Sequence, residues 1–240
     1  MSWTFRPPAW ALAGTAGLCA LFCGLGLWQL HRGDQKKSLQ RQYAQAATQA
    51  PVELIADSAA PAGVQAVRAQ ARGTYLAEHQ LLLDGQGHGE TSGYDVWTPL
   101  RLADGGLVIV NRGWVAETPD RRAAVPLDAP AGEVSVQGLW RSLPEPGLRL
   151  GQPACAPPTA WPHAVEYPTV AELRCIYGGK VAEGELLLDA DTSGGYLRDW
   201  QPAAAPGFPP ERHYAYAVQW FAFATILLGI FLKQNLKRSP

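Results

Sequence analysis

The chain has 240 residues, a formal net charge of -1 and only 17% charged residues. Its basic residues form no long stretch, which argues against nucleic acid as a partner. Nine tryptophans and so little charge instead fit a protein that spends part of its length in or on a membrane.

Residues 1–8 form a short leading tail. Ala9 to Leu30 then carries no charge over the roughly 20 residues that a helix needs to cross hydrocarbon. The apolar core of a cleaved signal peptide is shorter, about 7–15 residues, and ends at a small-x-small site. This segment ends in Trp28–Gln29–Leu30–His31–Arg32, so it reads as an uncleaved anchor. Trp10 and Trp28 stand near its ends, where an aromatic belt belongs. Ala9, Ala13 and Gly17 form one row of small residues, and Ala16, Ala20 and Gly24 another; Thr225 and Gly229 offer a matching pair near the C-terminus. Cys19 and Cys23 share a helix face and are read as packing residues, with a copper-binding pair as the alternative.

Residues 31–50 extend this helix as a polar, Ala/Gln/Lys-rich stretch, and Pro51 stops it. Residues 51–212 form the middle region. Ala56 to Gly63 reads as a loop, and Val67–Tyr75 as a strand. Gln80–Leu83 is a short apolar run, and the glycine-rich Gly85 to Gly93 predicts a loop. Tyr94, Val96, Thr98, Leu100 and Leu102 alternate on one face of a strand. Asp104–Gly105–Gly106 marks a hairpin turn before the return strand Leu107–Val115. Val134–Trp140 and Leu186–Asp189 are further strands. Thr169–Tyr177 predicts a short helix capped by Gly178. Cys155 and Cys175 are candidates for a disulfide if this region lies outside the cytoplasm; such a loop would contribute about 3 kcal/mol.

The middle region holds no nucleophile elbow and no phosphate-cradling loop followed by Lys–Ser/Thr, which argues against a hydrolase or nucleotide enzyme. The run Asp84–Gly85–Gln86–Gly87–His88–Gly89 lacks the strand–helix context of a nucleotide loop. His79, His88 and His163 are scattered and read as surface or turn residues.

Glu211–Arg212–His213–Tyr214 leads into an apolar run to Leu232, so residues 213–232 form a second span and 233–240 a tail with Lys233, Lys237 and Arg238. Two spans leave both termini on one side; the charges do not decide which. The end of the first span and the start of the second meet the same membrane face. Trp28, His31 and Arg32 then lie level with Arg212, His213, Tyr216 and Trp220. His213, Tyr216, Ala217 and Trp220 follow helical spacing. Such a groove suits a flat, anionic, amphipathic cofactor. For a haem, His would ligate iron, Arg would pair with propionates and aromatic rings would pack on the macrocycle. An ordinary aromatic and basic interfacial belt is the alternative.

Three blocks carry a resemblance. The first is Gly24–Leu25–Gly26–Leu27–Trp28–Gln29–Leu30–His31–Arg32 with Lys36 and Lys37. The second is Gly93–Tyr94–Asp95–Val96–Trp97–Thr98–Pro99–Leu100 followed by Val108–Ile109–Val110–Asn111–Arg112–Gly113–Trp114–Val115. The third is His213–Tyr214–Ala215–Tyr216–Ala217–Val218–Gln219–Trp220–Phe221. In order and spacing they resemble the surfeit locus protein 1 family, the Shy1 proteins of yeast. The resemblance implies two transmembrane helices flanking a mainly antiparallel-β (α+β) extracytoplasmic domain, with both termini on the cytoplasmic or matrix side. It implies a non-enzymatic assembly factor for a haem–copper terminal oxidase that handles haem a for the catalytic subunit. Terminal oxidase subunit I, haem a synthase and membrane lipid are the expected partners, and a bacterial inner membrane the expected location, with the central domain facing the periplasm. His213 matches the family's proposed haem ligand and is the expected metal-binding residue; Arg212, Tyr216, Trp220, His31 and Arg32 stand around it by geometry. Gly93 matches a family glycine and is read as a backbone requirement. The stretch Trp161–Tyr167 keeps the Trp of a family "W-x-x-R-D"-like segment but not the rest. A scaffold that holds an oxidase intermediate without carrying haem is the alternative function.

Overall fold

The computed structural model describes residues 3–63, 65–118, 127–145, 157–200 and 209–238. They form two units, one of residues 1–39 with 204–240 and the other of residues 40–203.

In the first unit, helix α1 (Ala9–Ala47) begins, and helix α3 (Pro210–Asn235) lies entirely within it. Both are long and apolar enough to cross a membrane. α1 runs unbroken through the polar stretch after Leu30 and ends before Pro51, whose ring cannot continue it. α3 starts on Pro210, where the missing N–H costs no hydrogen bond. Trp10, Leu21, Leu27, Val218, Ile226 and Ile230 point outward and are exposed. Strands β1 (Trp3–Phe5) and β10 (Leu236–Arg238) pair antiparallel, and Phe5 meets Phe231 edge-on.

The second unit is a mixed sheet ordered β2 (Val52–Glu53), β3 (Ala66–Tyr75), β7 (Glu133–Arg141), β9 (Val181–Leu188), β6 (Leu107–Ala116), β5 (Thr91–Leu102), β4 (Leu81–His88) and β8 (His163–Val165). The end of β3 also pairs with β5 through Gly73–Tyr75, so β3, β7, β9, β6 and β5 close into a ring. Its apolar core holds Ala69, Ala71, Leu100, Val108, Val110, Val136, Trp140, Leu186 and Leu188. A second cluster, with Leu81, Leu83, Trp97, Ile109 and Val181, is completed by Leu173 of α2 (Val170–Tyr177). Fully burying a side chain such as Leu173 contributes ~2 kcal/mol.

Antiparallel pairing predominates, as expected. However, β2–β3, β4–β8 and β6–β9 are parallel. The last two join strands distant in sequence, which alternation within one strand does not report. The expected loop at Gly85–Gly93 is instead a hairpin. β4 continues to His88, pairs with Thr91, and turns on Gly89 with φ 61° and Glu90. Glycines blank out the alternation there, but their backbones still pair. Gly93 does meet a backbone requirement, since a Cβ would sit 2.2 Å from the Val115 carbonyl oxygen.

α2 carries a capping box. The Glu172 N–H donates to the Thr169 hydroxyl at 3.1 Å, and the Glu172 carboxylate accepts from the Thr169 N–H at 2.6 Å. Gly178 closes the helix in the left-handed region. Cys175 is disulfide-bonded; Cys155, its expected partner, lies outside the described residues.

The second family block supplies two buried polar centres. Arg112 is fully buried between the Tyr75 and Tyr196 rings and donates to the carbonyls of Gly194 and Asp128 and to the side chains of Gln80 and Thr98. Burial pushes the Tyr75 hydroxyl up to about 12 against the pull of Arg112, so the ring stays neutral. On the other side, the Asn111 amide donates to Asp95 at 3.0 Å and Glu185 at 2.9 Å, and Arg141 pairs with Glu185 at 2.6 Å.

Candidate functional site

In the first unit the two helices meet along a seam with alternating spacings of four and three residues. On α1 it runs Thr15, Cys19, Phe22, Gly26, Gln29, Gly33 and Lys36; on α3 it runs His213, Ala217, Trp220, Ala224, Leu227 and Phe231. This is the spacing of antiparallel helices that pack side chains into each other's gaps. The contacts follow in rungs. Cys19 lies 3.8 Å from the Ala224 carbonyl oxygen, Phe22 stacks on Trp220 with centroids 5.8 Å apart, and Tyr214 donates to Asp34 at 2.8 Å. A Cβ on Gly26 would stand 2.7 Å from the Phe221 ring, and one on Gly33 2.8 Å from the Tyr214 ring. Both glycines therefore leave room for aromatic rings against the α1 backbone.

The expected rows of small residues do not form this seam. Ala9, Ala13, Gly17, Ala16, Ala20 and Gly24 are exposed, and Gly229 has open space around its Cα. On an almost wholly apolar helix, small-residue spacing fits several faces equally well. The polar Gln29 was the stronger marker, because an amide in an apolar run needs a partner.

Its partner is His213. The imidazole Nδ1 lies 2.7 Å from the Gln29 Oε1 atom, and the other ring nitrogen, Nε2, is buried without a hydrogen-bond partner. A carbonyl oxygen only accepts, so Nδ1 carries the proton and Nε2 presents a bare lone pair. This orphaned atom is the kind of donor that iron takes. Lys36, 6% exposed in the seam, and Arg32 both exert their positive charge on His213. An imidazole donor with nearby cations and aromatic rings fits an anionic iron porphyrin.

The other residues expected around His213 divide. Trp220 is in the seam, two turns along α3 from His213. Tyr216 is 40% exposed, off the packed face, and Arg212 is exposed as well. His31 is exposed and engages Gln35 at 2.9 Å, and Arg32 donates to the same Gln35 side chain at 3.3 Å. His31 is therefore not brought onto His213. Gln29 and Lys36 belong to the site and were not expected there.

Cys19 and Cys23 are free and half-buried, and among the described residues no group of three or more His, Cys, Asp or Glu side chains could hold a metal ion. The β domain has a separate cleft of about 390 Å³, lined by Trp161, Tyr177, His79, Arg101 and Lys180 among others. Trp161 stacks on Tyr177 there, which gives the Trp161–Tyr167 stretch a packing role.

One unit is thus a ring of β-strands and the other a pair of helices long and apolar enough to cross a membrane, with a buried imidazole nitrogen of His213 in their seam. The SURF1 family profile matches residues 16–225, and the chain belongs to the SURF1 family. It is 32% identical to a SURF1-like protein of Monosiga brevicollis over 132 residues, 49% of each chain. It is also 32% identical to a SURF1-like protein of Dictyostelium discoideum over 43% of this chain and 42% of that one. A SURF1-like protein of Drosophila melanogaster is 27% identical over 90% of this chain and 75% of its own. The first two matches thus span less than half of those relatives' length.

Proposed function

We propose that this chain is a non-enzymatic assembly factor for a haem–copper terminal oxidase, cytochrome c oxidase, which binds haem a in the helix seam and assists its insertion into subunit I. One observation carries the reading: the buried, unpartnered Nε2 of His213, with the opposite nitrogen held by Gln29. Family membership supports it, since the SURF1 family is linked to cytochrome oxidase assembly. His213 would ligate the iron, Lys36 and Arg32 would face the propionates, and Trp220 would lie against the macrocycle. The bound haem supplies no chemistry here; it is cargo, and the protein's work is to hold it until transfer. Subunit I and haem a synthase are the partners this role requires, with membrane lipid around the outward apolar side chains.

In this reading both helices cross the membrane and the β domain stands on the outer face. The outward apolar side chains support the crossing, since a water-facing helix pair would expose a large apolar patch. The resemblance implied a bacterial inner membrane; the three relatives described above are all eukaryotic, so the corresponding mitochondrial membrane fits the same arrangement.

The test is to purify the protein from cells that make haem a and to record its absorption spectrum beside that of His213→Ala. Haem is expected in the wild type and lost from the variant. Equal haem in both would remove His213 as a required ligand, whereas absence of haem from the wild type would leave a scaffold that stabilises an oxidase intermediate without carrying haem.

A further inference from the structure

We propose that Gln29 is a positioning residue, which holds His213 in the one tautomer and ring orientation that can ligate iron. The inference rests on the haem reading above and goes beyond it, because it assigns the role to a side chain that never touches the cargo.

The geometry is specific. Gln29 and His213 lie 184 positions apart in the chain, yet Oε1 and Nδ1 are 2.7 Å apart. They face each other at seam positions, between Gly26 and Gly33, which let the aromatic rings of α3 lie against the backbone of α1. An imidazole has two neutral tautomers, and the hydrogen bond made by one nitrogen selects which. An accepting oxygen at Nδ1 places the proton there and frees Nε2. Loss of that oxygen would let the proton move to Nε2, where it blocks ligation.

The chemistry of the partner is informative too. A carboxylate behind a ligating histidine raises its basicity and strengthens the metal bond. Gln29 is isosteric with a carboxylate side chain but neutral. It orients the ring without adding charge, which suits a site that must release its cargo. The Asp34 carboxylate, one turn further along α1, is engaged by the Tyr214 hydroxyl instead.

The test uses the full chain in lipid nanodiscs with ¹⁵N-labelled histidine. The His213 signal is assigned by its absence in His213→Ala. Without haem, the wild type should show Nδ1 protonated and Nε2 bare, and Gln29→Leu should shift the proton toward Nε2. With haem a added, Gln29→Leu should weaken binding by about 10- to 100-fold, the range found for lost partners of metal-ligating histidines. Gln29→Glu should retain haem and lower its reduction potential. A residue that merely pins the helix register would leave tautomer and potential unchanged. An Nε2-protonated wild type, or unchanged tautomer and potential in both variants, would overturn the proposal while leaving His213 as ligand. Absence of haem from the wild type would overturn the haem reading, and the tautomer measurement would still decide whether Gln29 sets the ring.

Discussion

Asp95 shows how a residue of the family motif can be buried at a cost in stability at neutral pH. Burial pushes its carboxyl up to about 6; the Asn111 hydrogen bond opposes the rise, neighbouring Glu185 adds to it and Arg141 pulls it down. The folded state therefore holds this proton more tightly than the unfolded chain, whose carboxyl titrates near 4. Stability from this group is present below about pH 4 and is lost as pH rises through about 6. Asp95→Asn should flatten that slope and raise stability at pH 7 by roughly 1 kcal/mol, allowing for the side chain's partial exposure. Urea unfolding of the full chain at pH 5 and pH 8, followed by tryptophan fluorescence, checks both. Arg112 behaves oppositely. Its planar fork reaches several carbonyls at once, which a lysine cannot, so Arg112→Lys should cost about 2–4 kcal/mol in the same assay. The motif was legible in sequence, but its buried roles were not, because hydropathy marks Asp, Asn and Arg as surface residues.

At the scale of elements, local signals served best where they are self-contained. The α2 helix was readable because Val170, Leu173 and Tyr177 form one stripe and Gly178 closes it, and the structure adds the Thr169–Glu172 capping box at its start. Thr169→Ala should cost ~1 kcal/mol, measurable as a lower unfolding midpoint. The hairpin at Gly89 and the parallel pairings of β8 and β9 were hidden, because their partners are remote or their side chains absent. The helix seam was hidden for another reason. A helix that is apolar all round has no preferred face in hydropathy, so only Gln29 and the polar mouth residues broke the symmetry. Gly33→Val should push the Tyr214 ring off α1 and destabilise the pair by about 1–3 kcal/mol. Lower thermal stability in nanodiscs, together with reduced haem retention, is the expected result; unchanged values would show that the ring relocates freely.

For the whole molecule, the two helices were readable from charge and length, and the β domain between them in the chain from alternation and turn signals. The side of the membrane was not, since long domains cross largely regardless of charge. The proposed arrangement predicts that Thr91→Cys, at the exposed hairpin tip, reacts with a membrane-impermeant thiol reagent in right-side-out vesicles and is protected in inverted ones. The reverse pattern would place the β domain inside. The closed ring also escaped the sequence, because closure depends on Gly73 and Thr74 of β3 pairing with β5 on one side while they pair with β7 on the other.

The stacked rung of Phe22 and Trp220 gives the seam an optical reporter. Trp220 lies seven residues from His213, about 10 Å along the helix. At that range a porphyrin absorbs the excitation of an indole by resonance transfer. Occupancy could then be followed without any label, as the part of the emission that disappears on loading in the wild type but is missing from Trp220→Phe.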